Sequence, residues 1–123
     1  MKIQDEFVPY SEALALKELG FDEPCFAYYS PKGIFVDAKV FKQIGFDISA
    51  PLYQQAFRWF REKYGIDSSI NKQHHIDKYC VNLDLNGFHA DDDLFPEEFT
   101  LFSTYEESEL ELLKKLIEIV KNK

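Results

Sequence analysis

The sequence predicts an α+β domain in which three main helices pack on one face of a small, mostly antiparallel sheet. Two observations carry that prediction. Three segments show the 3.6-residue apolar period with start or stop signals of their own. Between them lie short aromatic and β-branched runs punctuated by turn residues, without the regular strand-helix alternation of a parallel sheet. With 123 residues, 46% of them apolar and 16% aromatic, the chain can bury a core without disulfides or metals, and it reads as a single globular domain over 1–123 with loose termini.

The first helix is expected over residues 9–19, with Ala13, Leu14, Leu16 and Leu19 apolar and Pro9 near the entry, where a missing N–H does no harm. It ends in Leu19-Gly20-Phe21-Asp22, and that ending recurs in Ile44-Gly45-Phe46-Asp47 and Tyr64-Gly65-Ile66-Asp67. A glycine just past a helix takes the left-handed conformation, and the next apolar residue folds back on the last turn. The second occurrence suggests a short helix over 38–44, with a strand as its rival. Residues 25–29 and 34–37 read as a hairpin closed by Ser30-Pro31-Lys32-Gly33, which has Pro at the second turn position and Gly at the fourth.

The longest consistent segment, 49–65, reads as an amphipathic helix. Leu52, Tyr53, Ala56, Phe57, Trp59, Phe60 and Tyr64 fall on one arc, opposite Gln54, Gln55, Arg58, Arg61 and Glu62. Residues 68–77 are polar and read as a loop. Tyr79, Val81, Leu83 and Leu85 then alternate with polar residues as a half-buried strand does, Asn86-Gly87 is a turn signal, and 99–102 is the next strand candidate. The last helix opens on a capping box, Thr104 to Glu107, and carries a broad apolar face from Leu110 to Val120 with Glu111 four residues before Lys115.

Charge is unevenly distributed. The net charge is -8, yet between residues 91 and 111 there are nine acids and no Lys or Arg, while the rest of the chain has thirteen acids and fourteen bases. Such a balance argues against sequence-independent binding to phosphate backbones and favours a cationic partner, or none. Within the block, Asp91, Asp92, Asp93, Phe95, Glu97 and Glu98 interleave carboxylates with a bulky apolar residue. That is the pattern of a surface that steers a basic partner by charge and anchors it with an aromatic. The competing reading is a solvated loop with Leu94 and Phe95 tucked into the core. Arg58, Arg61 and Lys63 form a basic patch beside Trp59, so direct RNA binding through Tyr53, Arg58, Trp59 and Arg61 is the alternative binding mode. Complementing the helix C-terminus and the acidic block is the simpler role for these cations.

Chemical signatures are weak. His74, His75 and His89 with Asp91, Asp92 and Asp93 match no zinc spacing, which leaves a small metal-dependent hydrolase or nuclease as a third reading. Asp84, Asn86 and Asp91 match only fragments of a calcium loop. Cys25 and Cys80 sit in strands rather than at helix N-termini, where packing outweighs nucleophilic chemistry. The sequence contains no phosphate loop and no nucleophile-elbow or HExxH motif, so no catalytic residue, metal or cofactor is assigned. Two distant cysteines and an N-terminus without an apolar core suggest a reducing, cytoplasmic setting with no membrane association.

Three strings add a resemblance. YSEALALKELGFDEPC at 10–25, YQQAFRWFREKYG at 53–65 and the closing stretch from Tyr105 to Lys121 resemble a group of short proteins from phages and mobile elements of Bacteroidetes. The likeness covers about half the chain and brings no activity or site with it. It implies a phage protein acting inside an infected bacterium. With the acidic block, this sets the expectation of an inhibitor, similar to an anti-CRISPR, that occupies a cationic surface of a host protein such as a nucleic-acid-guided nuclease.

Overall fold

A computed structural model of the chain describes residues 3–37, 48–73, 76–84 and 101–121. The fold is α+β, with helices α1 (Tyr10–Glu18), α2 (Tyr53–Tyr64) and α3 (Tyr105–Lys121). The strands are β1 (Ala27–Tyr29), β2 (Phe35–Asp37), β3 (Ile48–Ala50), β4 (Asp67–Gln73), β5 (Lys78–Asp84) and β6 (Leu101–Phe102). They form two three-stranded antiparallel sheets, ordered β2-β1-β3 and β4-β5-β6, instead of the one sheet expected. The sheets lie in separate compact units, Met1–Ala56 and Phe57–Lys123. In the first, β1 pairs with both β2 and β3, and in the second β5 pairs with both β4 and β6, so among the described strands no pairing spans α2.

In the first unit, α1 follows Pro9 as its N-cap and ends at the expected stop signal. Gly20, at φ 101°, donates its N–H to the Lys17 carbonyl at 3.0 Å, and Phe21 donates to Leu16 at 3.0 Å. These are the two bonds of a Schellman stop, and Phe21 and Leu16 are both buried. The hairpin turn is as read, with the Gly33 N–H reaching the Ser30 carbonyl at 2.8 Å and Tyr29 opposite Phe35. The strands are shorter than the 25–29 and 34–37 expected, which leaves Cys25 in the loop before β1 and not in a strand. The N-terminal segment is tied down, contrary to the loose terminus expected. Ile3–Glu6 form a 3-10 turn, Val8 is fully buried, its N–H donates to the Pro51 carbonyl at 2.8 Å, and its carbonyl accepts from the Tyr29 hydroxyl at 2.8 Å. Tyr10 packs edge-on against Tyr29, with ring centroids 5.5 Å apart.

The central helix is shorter than the 49–65 expected. Ile48, Ser49 and Ala50 instead pair with Tyr29, Tyr28 and Ala27 as β3, and Leu52 bridges Phe7. Pro51 explains the shift, since the residue before a proline is driven out of the helical region. From Tyr53 the arc is as predicted: Tyr53, Ala56, Phe57, Trp59 and Phe60 are buried, while Gln54, Arg58, Arg61 and Glu62 are exposed. Gly65, at φ 72°, closes the helix with its N–H on the Arg61 carbonyl at 3.0 Å, and the fully buried Ile66 follows.

In the second unit, the first part of the polar stretch read as a loop belongs to strand β4, paired over all seven residues with β5, and Ile76 and Asp77 form a turn. One apolar residue, Ile70, cannot make an alternating pattern, so the pairing comes from the partner strand, whose Val81 is buried opposite it. Strand β6 falls within the expected 99–102. Helix α3 contacts all three strands of this sheet, and Thr104 Oγ1 accepts from the Glu107 N–H at 3.1 Å, as the capping box requires. Glu111 pairs with Lys114 and Lys115 with Glu118, both at i to i+3. The helix or strand expected at 38–44 and the Asn86-Gly87 turn lie outside the described residues.

Candidate functional site

Asp91, Asp92, Asp93, Phe95, Glu97 and Glu98, and likewise His74, His75 and His89, lie outside the described residues. The rest of the acidic block, on α3, is not one uniform surface. Glu106 and Glu107 are exposed in its first turn, where the helix dipole favours negative charge. Glu111 is partly exposed and paired with Lys114 at 3.7 Å, and Glu109 is only 8% exposed, so it presents no charge to a partner.

Arg58 and Arg61 stand one turn apart on the exposed side of α2, as the period predicts. The aromatics beside them are placed differently from the RNA-binding alternative. Trp59 is 5% exposed and Tyr53 6%, so neither offers a ring face on which a base could stack. Lys63 Nζ lies 4.9 Å from the Trp59 ring centroid and 5.7 Å from that of Tyr64, an internal cation-π contact that occupies the third cation of the patch. Gln55, on the polar side of the helix, is also engaged: its amide donates to the Pro24 carbonyl at 2.9 Å.

Cys25 is held in the same loop. Burial pushes its thiol up to about 11, a Gln55 hydrogen bond acts in the opposite direction, and nearby Glu23 adds to the rise. A thiol so protonated at neutral pH is a poor nucleophile. Among the described residues, no group of three or more His, Cys, Asp and Glu converges as a metal site would need, and no helix is long and apolar enough to cross a membrane. Asp84, from the calcium-like fragment, lies directly opposite Asp67 across the β4-β5 pair, both exposed.

A feature that the sequence reading missed lies in the first unit. A hollow of about 410 Å³ opens between the N-terminal segment and the sheet, lined by Glu6, Phe7, Phe26, Ala27, Phe35, Asp37 and Leu52. Register explains the grouping: Ala27 pairs with Asp37, so both project to the sheet face that also carries Phe35, and the Phe7-Leu52 bridge closes one side. Phe7 and Phe35 meet at 5.3 Å between centroids. Phe26 is 65% exposed, the most exposed large apolar side chain among the described residues. Its place in an aromatic run beginning at Cys25 is the signal in the sequence, and a hairpin by itself accounts for that run. No family model, no curated protein and no solved structure matches the chain.

Proposed function

We propose that the protein is a non-enzymatic acidic binding protein of phage origin that inhibits a host defence protein, in the manner of an anti-CRISPR, by occupying a cationic nucleic-acid-binding surface. The observation that carries this reading is charge segregation: net -8, with nine acids and no base between residues 91 and 111. A concentrated negative field raises the encounter rate with a basic surface and rejects acidic competitors, nucleic acid included. The exposed pair Glu106 and Glu107 supports it, and so does the burial of Tyr53 and Trp59, which weakens the RNA-binding alternative. Phage origin rests on the resemblance of the three helical strings, and the identity of the target as a nucleic-acid-guided nuclease rests on the chemistry of its cationic surface.

The test is capture from a Bacteroidetes lysate with the tagged chain, followed by elution with added DNA or RNA. A basic nucleic-acid-binding protein should be retained and then released by the competing polyanion. Reversal of Asp91, Asp92, Asp93, Glu97 and Glu98 to Lys should abolish its retention. Retention that survives all five reversals contradicts the proposal.

A further inference from the structure

The hollow of the first unit carries an inference about how such a partner is held, and it rests on the reading of the protein as a binder of cationic partners. At about 410 Å³ it lies within the size range of clefts that enclose ligands, roughly 300 to 1,000 Å³. Its apolar walls are built before any ligand arrives, because Phe7 and Phe35 pack on each other at 5.3 Å and Ala27 is 1% exposed. A wall already ordered costs little further side-chain entropy on binding.

Apolar lining alone would not identify an occupant, but the charged lining does. Among the described residues, the ionisable ones that line the hollow are Glu6 and Asp37, both acids and both exposed. Carboxylates on apolar walls disfavour acidic ligands and favour an ammonium or guanidinium group joined to an apolar one. The exposed ring of Phe26 adds a face over which such a cation can lie. We infer that this hollow is the docking site for a peptide segment of a basic partner protein in which an apolar side chain stands next to Lys or Arg. The apolar side chain enters against Phe7, Phe35 and Leu52, and the cation meets Glu6, Asp37 or the Phe26 ring. It is an anchoring contact, separate in sequence from the acidic block at 91–98 that steers the encounter.

The probe is a capped tetrapeptide, acetyl-Lys-Trp-Leu-Arg-amide, titrated into the full chain and followed by the backbone amide signals of Phe26, Ala27 and Phe35. Acetyl-Glu-Trp-Leu-Glu-amide and acetyl-Lys-Gly-Gly-Arg-amide serve as controls. The first peptide should shift those signals saturably and the controls should not. The double variant Glu6→Gln with Asp37→Asn should weaken binding at least about threefold, as the loss of two exposed ion pairs implies. Phe26→Ala, which removes an exposed ring and so spares the fold, should weaken it further. Equal binding of the acidic and basic peptides, or unchanged affinity in both variants, overturns the inference. Self-association of the free chain that Phe26→Ala abolishes, without any peptide shift, would assign the hollow to a second copy and overturn it as well. This readout does not involve residues 91–98, so failure of lysate capture on charge reversal and failure of the hollow are separately visible.

Discussion

Trp59 shows how a residue that looks like a site becomes scaffold. It is 5% exposed, its ring lies 5.1 Å from Phe60 and 5.5 Å from Tyr64, and Lys63 covers it. Trp59→Ala should therefore cost about 3 to 5 kcal/mol, seen as a lower denaturation midpoint at constant m value. Arg58→Ala, on the exposed side of the same helix, should stay within about 0.5 kcal/mol, and a larger loss would contradict the division between buried and surface faces. The helical period made this partition legible from residue 53 onward. Less legible was Gln55, which the same period places at the surface but which the Glu23-Pro24 loop engages. Periodicity assigns a side; it does not register a loop folding over that side. Cys25 beside it gives a pH prediction. Its thiol is raised from 9.0 to about 11, chiefly by burial, so the folded chain holds the proton where the unfolded chain releases it. The sign follows: stability is unaffected by this group below about pH 9 and falls as pH rises from about 9 to about 11. In a Cys80→Ser variant, alkylation of the remaining thiol by iodoacetamide should rise with a midpoint near 11, with about one molecule in a thousand reactive at pH 8. A midpoint near 9 would mean that the loop does not bury the thiol.

At the level of elements, the stops were easier to read than the strands. The Gly-apolar-Asp ending identified the ends of α1 and α2, because a left-handed residue followed by an apolar one is a local requirement written in adjacent positions. Gly65 permits that requirement to be measured alone. It has φ 72°, and a methyl group added there would meet nothing within 4 Å, so only the backbone conformation resists substitution. Gly65→Ala should cost about 1 to 2 kcal/mol, while Gly65→Asn, whose side chain tolerates this region, should cost less. Equal stability of glycine and alanine in chemical denaturation would show that the left-handed turn is not held in solution. Strands β3 and β4 were missed for the opposite reason. Three residues, Ile48 to Ala50, are too few to show a period, and β4 has a single apolar residue; both are strands because of their partners, β1 and β5. Pairing of that kind is a property of two segments and is not written in either one.

For the whole molecule, the same distinction separates the two candidate binding features. The acidic block was visible because its members are contiguous in sequence, whereas the hollow draws Glu6, Phe26, Asp37 and Leu52 from four separate segments that only the fold of the first unit gathers. The two features also have different kinetic signatures. Charges at the edge of an interface act on the rate of encounter, and apolar anchors act on the rate of escape. For the proposed basic partner, association should slow by about tenfold or more between 0.05 and 0.5 M salt, as screening shortens the reach of the net charge of -8. Neutralising Asp91, Asp92, Asp93, Glu97 and Glu98 to their amides should slow association at low salt and flatten that dependence, with dissociation little changed. Phe26→Ala should do the reverse, speeding dissociation about tenfold while leaving the salt slope intact. Surface plasmon resonance at several ionic strengths separates these outcomes. If neutralisation of the block instead changed dissociation alone, its carboxylates would be making close desolvated contacts, and the picture of long-range steering followed by apolar anchoring would have to be abandoned.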